Sequence, residues 1–112
     1  MTSVAAHIEV SLITDPPMAA WTPLVLGTEV VFAIAVTDLV TGAVVEPSSV
    51  ACRLIAPREG TERLGVTPAD FGVWYATASP GLPGRWEYRV TCGGAAIGAG
   101  EGMFWMANSE FV

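Results

Sequence analysis

Between Glu29 and Asp38 the chain reads EVVFAIAVTD. Large apolar side chains, Val30, Phe32, Ile34 and Val36, fall on every second position and alternate with Val31, Ala33, Ala35 and Thr37. Successive side chains of an extended strand point to opposite faces, so this spacing predicts a strand with one buried face, the strongest in the sequence. A helix would repeat its apolar residues every three or four positions. No long stretch of this chain keeps that period with caps at its ends.

The two-residue period continues outward in both directions. Beyond the turn at Thr41-Gly42 and Glu46-Pro47, a strand is expected from Val50 to Ala56, with Val50, Cys52 and Leu54 on the side opposite Arg53. Pro57-Arg58-Glu59-Gly60 reads as a turn, and Thr61 to Val66 as a short ribbon. After Asp70-Phe71-Gly72, Trp74, Ala76 and Ala78 should face one way and Val73, Tyr75 and Thr77 the other. Pro80-Gly81-Leu82-Pro83-Gly84 stops that strand. Trp86, Tyr88 and Val90 then alternate with Glu87, Arg89 and Thr91, and a last strand is expected from Glu101 to Met106. Toward the N-terminus, Ala5 to Ile13 reads as a first strand, ended by Asp15-Pro16-Pro17 because consecutive prolines remove ladder donors. About seven strands punctuated by turn residues predict an all-β, immunoglobulin-like antiparallel β-sandwich. Residues 29–112 would form the sandwich and 1–28 an N-terminal strand or arm, one domain overall.

Composition narrows the function classes. Of the 112 residues 52% are hydrophobic and only 14% charged, against about 25% in a typical soluble domain, so either the core is very apolar or some surface is meant to be covered. No apolar run approaches the roughly 18 to 20 residues of a membrane-spanning helix, and no membrane partner is expected. No basic region precedes an apolar stretch at the start of the sequence, so no export signal is expected. A net charge of -6 with five basic residues disfavours nucleic acid as a partner, because phosphate backbones are held by clustered Lys and Arg.

Candidate chemistry is sparse. His7 is the sole histidine, so a nucleophile-base arrangement would have to use it, on a strand where a solvent-facing side chain is the simpler reading. Asp15 and Asp70 precede turn residues and read as turn stabilisers. Gly98-Ala99-Gly100-Glu101-Gly102 has no following helix and is no phosphate cradle. Cys52 and Cys92 fall on separate strands without metal-ligand spacing, either as an intersheet disulfide or as buried free thiols. No catalytic, cofactor-binding or metal site is expected.

Contact surfaces are the richer signal. Trp74 and Trp86 have inward parity and read as core anchors. Trp21, in a proline-flanked loop, and Trp105, which shares parity with Glu101, read as candidate interface residues. Arg53, Glu87, Arg89 and Glu101 should share a wet outer face and pair across strands. Val31, Ala33, Ala35, Val73 and Tyr75 belong to an outward set without charge, expected to meet another subunit or the opening segment.

Four of the quoted stretches also form a series: Pro57-Arg58-Glu59-Gly60, Gly72-Val73-Trp74-Tyr75-Ala76, Gly84-Arg85-Trp86-Glu87-Tyr88-Arg89 and Glu101-Gly102-Met103-Phe104. The series resembles the small immunoglobulin-like proteins encoded among the head and neck genes of tailed phages and gene transfer agents. The chain departs from that pattern in carrying Trp74 where tyrosine is common and in its long opening segment. The resemblance implies a virion protein made in a bacterial host cytoplasm, either a capsid decoration or cement protein or a head-tail neck component. Its partners would be the major capsid protein, neck or connector proteins, or copies of itself, and it implies no catalytic residues. The alternative is a carbohydrate- or surface-binding module using Trp21, Tyr75 and Trp105 as stacking platforms.

Overall fold

The computed structural model describes residues 3–14, 24–25, 29–58 and 60–107, and Trp21 and Asp15 lie outside them. Among the described residues nine strands are formed: β1 (Val4–Ile13), β2 (Leu24–Val25), β3 (Val30–Asp38), β4 (Ser49–Ile55), β5 (Thr61–Leu64), β6 (Val66–Asp70), β7 (Val73–Ala78), β8 (Gly84–Gly93) and β9 (Ala96–Ala107). Eight follow one hydrogen-bonded path, β5-β4-β8-β9-β1-β3-β7-β6, with β2 attached to the far end of β9. The path curls until β4 and β5 at one end contact β6 and β7 at the other.

The all-β expectation holds, and its details need correcting. There are nine described strands where about seven were expected, and two pairings, β1 with β9 and β2 with β9, are parallel. β1 pairs antiparallel along β3 from Ala6↔Asp38 to Ile13↔Val31, while its first residues pair with β9 at Val4↔Ala96 and Ala5↔Ile97. It therefore joins the two halves of the path in a single ribbon. The expected ribbon Thr61 to Val66 divides at Gly65, with β5 pairing to β4 and β6 to β7. β6 carries Pro68, which is tolerated because β6 ends the path and has one open edge.

The last strand begins five residues earlier than its sequence predicts, at Ala96 rather than Glu101. Its glycines explain why propensity misleads there. Gly98, Gly100 and Gly102 share parity with the buried Ala96, Phe104 and Met106, so they face inward. β1 passes over two of them: a Cβ on Gly98 would meet the Ala6 carbonyl, and one on Gly100 would lie 3.2 Å from the Ile8 carbonyl oxygen. The absent side chains make room for a crossing backbone, a recognised use of glycine within strands.

The core is the alternating set of β3 facing the second half of the path. Val30, Phe32, Ile34 and Val36 are completely buried. Phe32 meets Tyr88 edge-on at 5.4 Å and Phe104 at 6.1 Å, and Trp86 stacks on Phe104 at 6.3 Å with ring planes 7° apart. Trp86 also donates its Nε1–H to the Leu82 carbonyl at 3.0 Å. Trp74, the other expected anchor, is only half-buried, and its indole nitrogen is buried without an acceptor among the described residues.

Candidate functional site

The outer face of β5, β4, β8 and β9 gathers the most informative side chains. Register sets them in rows across the strands. Arg63 lies opposite Arg53, Arg53 opposite Arg89, and Arg89 opposite Glu101. The next row is Thr61, Ile55, Glu87 and Met103, and beyond it Arg85 faces Trp105. Ile55, Met103 and Trp105 are 41%, 48% and 51% exposed, large apolar groups standing among charges.

The charges pair less evenly than parity suggests. Arg89 bonds Glu101, and Arg85 bonds Glu87 along the same strand at 2.9 Å. Arg53 has arginines directly opposite on both sides, so the expected cross-strand pairing does not extend to it. Like charges so placed repel. A shallow trough of about 340 Å³ runs between the two ion pairs, lined by Ile55, Tyr88, Gly102 and Met103 as well as the charged groups.

The seven expected interface residues do not form one surface. Val31, Ala33, Ala35 and Val73 are half-buried and Tyr75 is exposed on the outer face of β3 and β7, Trp105 stands on the other half of the path, and Trp21 is outside the described residues. The described part of the opening segment does not cover the uncharged face. β1 joins it edgewise, setting His7, Glu9 and Ser11 beside Thr37, Ala35 and Ala33, so the face is charged along that margin. Sequence reasoning passed over Ile55, Arg63, Arg85 and Met103; Ile55 shares outward parity with Arg53 on its own strand, Arg85 with Glu87 and Met103 with Glu101, whereas Arg63 joins the face only through the register of β5 on β4.

His7 is exposed on β1, and among the described residues no three His, Cys, Asp or Glu side chains come together as metal ligands. Asp70 accepts the Phe71 amide at 2.7 Å, in keeping with a turn role. Both cysteines are free and buried on adjacent strands of one half, in the diagonal arrangement Cys52↔Val90 and Val50↔Cys92, which rules out the intersheet disulfide. Burial pushes the Cys52 thiol up to about 11 and raises that of Cys92 as well, so neither is a ready nucleophile.

No family model and no curated protein sequence matches the chain. Among solved structures it is similar to the Lin-41 filamin domain, with a TM-score of 0.62 at 14% identity over 91% of both chains. It is also similar to a DUF4785 family protein from Legionella pneumophila, with a TM-score of 0.62 at 17% identity, covering 90% of this chain and 28% of that one. Likeness at such identities bears on fold alone, and that fold is an all-β, immunoglobulin-like one.

Proposed function

We propose that this chain is a non-catalytic structural protein that works by protein–protein contact, as a decoration or neck component of a phage-like particle. In this reading the curled path serves as a two-layer sandwich, β1-β3-β7-β6 backing β5-β4-β8-β9, and the second layer presents the docking face. The observation that carries the contact reading is the grouping of Trp105, Met103 and Ile55 with four arginines on one sheet surface. Trp, Met and Arg are the residue types enriched at interfaces and their hot spots. The particle itself is supported by the motif series in the sequence.

The rival sugar-binding reading needs a shared aromatic platform. Tyr75 and Trp105 stand on outer faces of opposite halves, so these two cannot stack on one glycan ring system. The test is incorporation into particles, followed by quantitative mass spectrometry of purified virions. The chain should be present at fixed copy number, high for a shell position and low for a neck ring. Trp105→Ala with Met103→Ala should deplete it without altering its circular dichroism. Saturable binding to neither shell nor neck would refute the reading.

A further inference from the structure

The arginine distribution is lopsided. Four of the five arginines, Arg53, Arg63, Arg85 and Arg89, stand on the outer face of β5, β4 and β8, accompanied by Glu87 and Glu101 from β8 and β9. That face is thus positive by two charges, whereas the rest of the sequence sets one arginine against nine carboxylates. Glu101 neutralises Arg89 and Glu87 neutralises Arg85. Arg53 and Arg63 have no ion pair among the described residues, although they are directly opposite one another.

Like charges in direct cross-strand register work against folding, and nothing in the core requires them there. Adjacent strands are about 4.8 Å apart, so Arg63, Arg53 and Arg89 make a row roughly 10 Å long running across the strands. A second hollow, about 120 Å³ and lined by Arg53, Arg89 and Thr91, opens beside this row. Guanidinium groups bind carboxylates through paired, charge-assisted hydrogen bonds, and the apolar Ile55 and Met103 flank the row one step away.

We propose that this row is a docking site for an acidic, Asp/Glu-rich segment of a partner protein, lying across the strands with an apolar side chain in the trough. Charge complementarity selects that occupant. A nucleic acid fits less well, since two uncommitted arginines supply few phosphate contacts. The inference deepens the contact reading of this face and rests on it, but it does not require the particle.

The test is fluorescence anisotropy with a labelled oligo-aspartate peptide carrying one leucine, its asparagine counterpart, and single-stranded DNA of equal charge. The aspartate peptide should bind saturably, and its Kd should rise about tenfold between about 0.1 and 0.5 M NaCl. Arg53→Gln with Arg63→Gln should weaken it at least about tenfold, with the circular dichroism spectrum and Tm retained. Equal binding of the asparagine peptide, tighter binding of the DNA, an indifferent double variant, or no saturable binding would overturn the proposal. Its failure is distinguishable from failure of the contact reading. If the double variant still enters particles while no acidic peptide binds, the acidic partner is wrong and the face stands. If the peptide binds as expected but the chain is missing from particles, the particle is wrong and the chemistry stands.

Discussion

Gly98→Ala tests the junction on which the fold turns. Elsewhere in a strand this change is mild, and it gains about 0.4 to 1 kcal/mol by restricting the unfolded chain. Here the new methyl would press on the Ala6 carbonyl, a backbone atom that cannot rotate aside. β1 must then lift from β9, straining the Val4 N–H bond to the Ala95 carbonyl (3.0 Å) and the short Val4↔Ala96, Ala5↔Ile97 ladder. Two lost backbone bonds remove about 2 kcal/mol, and partial exposure of the buried Ala6 and Ile8 about 1 more. Less the unfolded-state gain, the variant should be about 2 to 3 kcal/mol less stable, lowering Tm by about 10 to 15 °C in a domain of this size. Urea unfolding followed by tryptophan fluorescence measures it. Gly65→Ala is the control, since its added methyl meets no atom within 4 Å, and it should be neutral or slightly stabilising. Equal stability of Gly98→Ala and the parent, within about 0.5 kcal/mol, would refute the account of β1 crossing β9.

Other expectations follow from the core and the charged face. Trp86→Phe loses the bond to the Leu82 carbonyl and the stack on Phe104, and should be destabilised by about 2 kcal/mol in the same assay. Trp74→Phe removes a buried N–H that has no acceptor among the described residues, so it should lose about 1 kcal/mol or less. The Cys52 thiol is raised from 9.0 to about 11 by burial, so the unfolded chain gives up its proton first. Stability from this thiol is therefore fully present below about pH 9 and should fall by about 2 to 3 kcal/mol as the pH rises to 11; Cys52→Ala should remove that part of the loss and leave the part, of the same sign, that comes from the buried Cys92. Arg53→Thr relieves the like-charge row and should raise stability by a few tenths of a kcal/mol at low salt, with the gain shrinking as salt is added.

Much of the fold was legible because parity is a strong signal when one face is buried. EVVFAIAVTD announces β3, and the same rule puts Cys52, Leu54, Ala76, Trp86 and Val90 inside, where they are. Three features escaped it. The start of β9 was hidden because glycine carries no hydrophobic mark, although its alternate placement at 98, 100 and 102 has the period of a strand. β6 was hidden by Thr67, Pro68 and Ala69, an exposed and weakly patterned stretch that is held by pairing to β7. The anchor role of Trp74 holds only in part: the side chain packs against the core but stays half-buried, because inward parity near the β6 edge does not guarantee deep burial.

The candidate site escaped for a different reason. Parity tells which side of a strand a residue occupies, and it correctly put Arg53, Glu87, Arg89 and Glu101 on outward positions. Which residues stand opposite one another is a matter of register, and register is fixed by turns and by the buried face rather than by the charges. The buried alternation of β4, β5 and β8 decides that positions 63, 53 and 89 stand in one row, but it does not decide what occupies them, so the three arginines there answer to the surface and not to the core. A net charge of -6 conceals this, since it averages over the whole molecule. The domain is 21 Å through its thinnest dimension, and at physiological salt charges are screened beyond about 8 Å. A partner on the arginine face therefore meets the local positive field rather than the acidic back, and an acidic protein can recruit an acidic ligand without contradiction.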